Sequence, residues 1–222
     1  MDSLDKFLRL DINYPGIDIK VELIAIQEYI QLLDAGVDKI CETYISEEMK
    51  EYRDAEYYEY QHIYALAEDE IPRLIRMPFA ISIYSLFENS VNSLLLYAKD
   101  KENKELSHKD ISGRSKVSIY NKYLKHVLSY DFSFNDNSVQ ALSAIYKIRN
   151  VAAHANGSLI DMDKQSIKKL EKVIGSVQGV ESNGRYIVIS TEYLNYSFSL
   201  VESTLLGLMG YMEERYGFSA ST

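Results

Sequence analysis

The chain is poor in the residues that break or staple a fold. In 222 residues it has three prolines, ten glycines and one cysteine. So few breakers leave room for long uninterrupted elements, which favours helices. The single Cys41 excludes an intramolecular disulfide and fits a reducing compartment. No apolar run reaches the length of a membrane span; the best stretch, near residues 71–87, is interrupted by Arg73, Arg76, Pro72 and Pro78. Met1-Asp2-Ser3-Leu4-Asp5 lacks the basic and apolar blocks of a secretory signal. These absences lead to the expectation of a soluble cytoplasmic protein with no membrane partner. A glycine-rich phosphate loop is also missing. His62, His108 and His126 have no ligand-like spacing to Cys41 or to carboxylates, so neither a metal nor a cofactor is expected.

Positive charge is scarce in only one part of the chain. The net charge is −9, yet residues 1–75 carry −11 and residues 76–222 carry +2. The expected organisation is therefore an acidic, tyrosine-rich helical extension over 1–75 and a helical bundle over 76–222. In the extension, Tyr57, Tyr60 and Tyr64 share one helical face. They suit aromatic packing of the helix against its neighbours, and the acidic surface suits a protein partner or an oligomer better than RNA. In the bundle, Lys116, Lys122 and Lys147 are candidate phosphate contacts.

Apolar spacing predicts helices over about 18–67 with a break near Ser46, about 79–99 after Pro78, about 115–128, a helix opened by Asp136-Asn137-Ser138, about 164–174, and 191–216. Val180–Ile189 reads as a hairpin turning on Asn183-Gly184. The fold class expected is all-α, a helical bundle with one small β-hairpin near the C-terminus. Ala80, Ile83, Tyr84, Phe87, Val91, Leu94, Leu95 and Ala98 form the stripe of the second helix. Glu88 lies at its edge, partly desolvated unless paired.

What is present and informative is Arg149-Asn150-Val151-Ala152-Ala153-His154, on the last turns of a helix that Asn156-Gly157 stops. At about 100° per residue, Ala141, Ile145, Ile148, Ala152 and Ala155 form an apolar stripe. Ser143, Lys147, Asn150 and His154 form a second stripe on roughly the opposite side. His154 thus points away from the core, with Arg149 between the stripes. An obligate cation beside the one side chain that titrates near neutrality is a pair suited to phosphodiester cleavage.

The Arg-Asn-x-x-x-His segment, together with the preceding Leu86-Phe87-Glu88 helix, resembles the HEPN superfamily over about residues 70–216. The resemblance implies a bundle that dimerises and brings two motif helices into one composite cleft. It also implies a metal-independent endoribonuclease, a toxin of a toxin–antitoxin pair or part of an antiviral abortive-infection system. By position, Arg149 and His154 are the expected catalytic residues and Asn150 the accompanying polar residue, with Glu88 expected to pair with or orient Arg149. Some toxins of the superfamily carry a Tyr two residues after the His, where nucleotides are attached; Asn156 holds that place here, so another kind of antitoxin, or none, is expected. Two other readings stay open. One is a non-catalytic HEPN-like module that binds nucleotide, RNA or a protein. The other is an unrelated helical interaction protein that works through its acidic arm.

Overall fold

A helix runs unbroken from Ile71 to Lys101 because its apolar residues recur at steps of three and four. All eight residues of the stripe expected from Ala80 to Ala98 are 1% exposed or less. In a computed structural model that describes residues 11–218, this helix starts earlier than expected, and Pro78 lies inside it. Proline lacks the N–H that would bond to the carbonyl of Leu74. Leu74 is about half exposed, so the interrupted turn lies at the surface. Pro72 falls near the helix start, where a missing N–H matters least. Just upstream, Leu66–Glu70 forms a π-turn in which the Ile71 N–H reaches the Leu66 carbonyl.

In chain order the helices are α1 (Gly16–Glu48), α2 (Tyr57–Ala65), α3 (Ile71–Lys101), α4 (Lys116–His126), α5 (Asp136–Ala155), α6 (Lys164–Ile174) and α7 (Thr191–Tyr216). The strands β1 (Val180–Ser182) and β2 (Ile187–Ile189) pair antiparallel, with Val180 opposite Ile189 and Ser182 opposite Ile187. The molecule is thus mostly helical with one small hairpin near its C-terminus. No helix among the described residues is long and apolar enough to cross a membrane.

The described residues divide into two compact units that interleave in sequence. One contains 11–24, 85–143 and 199–218; the other contains 25–84 and 144–198. The expected boundary between 75 and 76 falls within α3.

The first unit, which holds Glu88, is built on aromatic packing. Phe87 meets the rings of Tyr120 and Phe134 edge-on at 6.3 and 6.2 Å, and Tyr123, Leu124 and Leu128 are fully buried. Ser115 caps α4 by accepting from the Ser118 N–H.

The second unit holds the Arg149–His154 motif. Its core includes Ile63, Ile83, Ile145, Ile148, Ile187, Ile189 and Tyr193, all fully buried. Each such aliphatic side chain stabilises the fold by about 1.5–3 kcal/mol relative to exposure. On the acidic stretch, Tyr60 packs against Tyr57 and Tyr64 with centroids 5.5 and 6.1 Å apart. These contacts run along a single helix, and Tyr57 is 64% exposed. The hairpin loop is longer than a two-residue Asn-Gly turn. Asn183 accepts from the N–H groups of both Arg185 and Tyr186, closing a four-residue loop.

Candidate functional site

The motif helix α5 is capped by Asn135, one residue before the expected cap: its Oδ1 accepts from the Ser138 N–H at 2.9 Å. Asp136 becomes a first-turn residue, where its charge complements the helix dipole. Ile145 and Ile148 are fully buried and Ala152 is 3% exposed, so the apolar stripe fixes the rotation of the helix about its axis. That rotation leaves Lys147, Ala153 and His154 exposed, with Asn150 and Arg149 half-buried. Ala155, the last residue of the expected apolar stripe, is exposed, because the helix ends there.

The end of α5 is built from two consecutive left-handed residues, Asn156 at φ 46° and Gly157 at φ 77°. The Gly157 N–H reaches back to the Val151 carbonyl at 3.1 Å, and the Ser158 N–H reaches the Ala155 carbonyl at 2.8 Å. Gly157 is buried, and an added Cβ would lie 2.5 Å from the Met77 side chain. Its carbonyl accepts from the Ile187 N–H of β2, which ties the helix end to the hairpin.

Within the motif, an Arg149 terminal nitrogen (Nη1) donates to the Asn150 side-chain oxygen at 3.1 Å. Arg149 Nε is buried and has no hydrogen-bond partner, and among the described residues no carboxylate pairs with this guanidinium. The arrangement offers a cation whose charge is not neutralised locally and an imidazole open to solvent, both on the last two turns of one helix. A guanidinium in that condition can take phosphate oxygens, and an open imidazole can accept or release a proton.

The other expected site residues lie in the first unit and are already engaged. Glu88 is 8% exposed and pairs with Lys116 at 2.5 Å. Its partner within its own unit is therefore Lys116, whereas Arg149, the expected one, belongs to the other unit. The desolvated carboxylate is neutralised by a cation of its own unit. Lys122 donates to the Ser112 carbonyl at 2.8 Å. Of the three candidate phosphate-binding lysines, Lys147 alone shares the motif helix.

Sequence reasoning missed Arg73. Only 7% exposed, it donates to the carbonyl of Asn156 at 2.5 Å, pairs with Glu70 and covers the Tyr186 ring at 4.2 Å. Its signal was a charge inside an apolar stretch, which calls for a partner if buried. Among the described residues no three His, Cys, Asp or Glu side chains converge as a metal site. Compared with protein-family models, curated proteins and solved structures, the chain matches none.

Proposed function

We propose that the chain is a metal-independent endoribonuclease of the HEPN type, with Arg149 and His154 as its catalytic residues. The observation that carries this reading is one helix end that bears both an exposed His154 and an Arg149 with no carboxylate partner among the described residues. RNA brings its own nucleophile, the 2′-hydroxyl. Cleavage requires a base to take that proton, an acid to protonate the departing 5′-oxygen, and a cation to stabilise charge on phosphorus. In a homodimer, one imidazole takes the 2′ proton while that of the second copy protonates the leaving oxygen. The 2′-oxygen bonds to phosphorus as the 5′-oxygen bond breaks, giving a 2′,3′-cyclic phosphate and a 5′-hydroxyl end. Arg149 holds the non-bridging oxygens in its planar fork, and Asn150 sets the fork's direction. Lys147 adds phosphate attraction on the same helix.

The activity fits a toxin or a phage-defence effector, whose role is tested by growth arrest on expression. The biochemical test is incubation of the purified protein with RNA in the presence of EDTA, beside His154→Ala and Arg149→Ala. Cleavage that survives chelation and is lost in both variants is expected. Equal background in all three proteins would reject the enzyme and leave the two non-catalytic readings.

A further inference from the structure

Arg73 is separated from the motif by more than 70 residues, yet its guanidinium holds the backbone where the motif helix ends. One terminal nitrogen donates to the Asn156 carbonyl at 2.5 Å, and the other pairs with Glu70. The carbon between them sits 4.2 Å from the centre of the Tyr186 ring. Three segments meet on this one side chain: the π-turn that ends at Glu70, the left-handed exit of α5, and the hairpin loop. The guanidinium is almost wholly buried, and its Nε has no hydrogen-bond partner. Burying such a charge is costly unless it is paired. A lysine would suffice to neutralise Glu70; the fork is needed to hold Glu70 and the Asn156 carbonyl together.

The carbonyl so held belongs to Asn156 at φ 46°, a left-handed conformation that asparagine tolerates and that ends the helix here. It lies two residues beyond His154, and its direction sets where α5 leaves helical geometry. The geometry points to Arg73 as a positioning residue for His154, acting through the Asn156 carbonyl to fix the helix end that presents the imidazole. Its catalytic consequence rests on the endoribonuclease reading; its geometric consequence does not.

The test uses the full chain carrying Arg73→Lys and, separately, Glu70→Gln. Four quantities are read: the thermal midpoint, hydrogen exchange of the Gly157 and Ser158 amides, the His154 ring resonances across a pH titration, and kcat with KM for RNA cleavage. In Arg73→Lys, exchange at those two amides should speed up by about tenfold, the local opening expected when an anchor is lost. The His154 resonances should move, and kcat should fall by about tenfold with KM within about twofold, as misplacement of a catalytic group predicts. A folded Arg73→Lys protein with unchanged exchange and unchanged His154 resonances overturns the inference. Should Arg73→Lys not fold, Glu70→Gln, which keeps a neutral acceptor for the second nitrogen, must show smaller changes in the same direction; no change there also overturns it. If the unmodified protein does not cleave RNA, the enzymatic reading falls, and exchange with titration alone decides the positioning role.

Discussion

Asn150 presents its side-chain oxygen 3.1 Å from a terminal nitrogen of Arg149, its neighbour in sequence. Adjacent helical residues project about 100° apart, so the guanidinium must fold sideways to make this contact. The neutral amide orients the fork without cancelling its charge. Asn150→Asp is predicted to convert the contact into an ion pair and to compete with phosphate. RNA affinity should drop by about tenfold, equivalent to about 1.4 kcal/mol. Asn150→Ala should cost less, since the cation stays available. Binding of a non-cleavable RNA with a 2′-deoxy position, measured at one fixed salt concentration, checks both. An Asn150→Asp protein that binds as well as the parent would remove the assigned role.

The Glu88–Lys116 pair is predicted to act on stability rather than on RNA binding. Lys116→Met leaves a nearly buried carboxylate without its cation and should cost about 1–3 kcal/mol. Glu88→Gln keeps a polar group that the site can accommodate and should cost less than about 1 kcal/mol. Urea unfolding of the two single variants and the double variant gives the coupling directly. If Lys116 contacts RNA, Lys116→Met will instead weaken binding while leaving the unfolding midpoint in place.

Much of this fold can be read from the chain because its signals are local. The eight-residue stripe from Ala80 to Ala98 survives into the structure, since repeated burial leaves a period that no neighbour can erase. α6 and α7 begin and end where their caps and spacing place them, with Asp163 accepting from the Gln165 and Ser166 N–H groups ahead of α6. Pro78 misleads because its cost depends on whether the Leu74 carbonyl meets water, which is a tertiary property. The partner of Glu88 is hidden for the same reason: burial announces that a cation is needed and says nothing of which one. The exposure of His154 follows from the rotation of α5, which the apolar stripe sets. The anchoring of its helix end by Arg73 depends on a contact across 83 residues of sequence, and no spacing rule reaches that far.

Asp11 supplies a pH-dependent contribution in the first unit. Its carboxylate accepts from Lys101, from the Asn13 N–H and from the Tyr97 hydroxyl. Those bonds, Lys101's foremost, hold its carboxyl down at about 2. The unfolded chain keeps a value near 3.9, so the folded state binds fewer protons between the two. The stabilisation is complete above about pH 4 and is lost as pH falls toward about 2. Asp11→Asn should therefore melt below the parent at neutral pH, with the gap narrowing steadily once the pH drops under about 4. Paired melting curves at several pH values test this, and a gap that widens on acidification would contradict the assignment.

Gly157 and Gly184 separate two costs that a left-handed glycine can carry. Both have φ near +80°, at 77° and 84°, so an alanine at either meets the same backbone penalty, about 1–2 kcal/mol. Around Gly184 an added methyl group meets nothing within 4 Å, whereas at Gly157 it would press on the Met77 side chain and approach Ile187 at 3.3 Å. Gly157→Ala should thus be the more destabilising by a further 1–3 kcal/mol, roughly the cost of overpacking a core. Met77 ends in a flexible thioether, so part of that excess should be recovered in the Gly157→Ala, Met77→Ala double variant. Recovery relative to the Met77→Ala single variant, read from urea midpoints, would show that steric pressure and not backbone geometry alone requires glycine beside the motif. Equal losses at Gly157 and Gly184 would mean that the helix exit has slack, and the imidazole of His154, three residues before Gly157, would then be less firmly placed than its anchors imply.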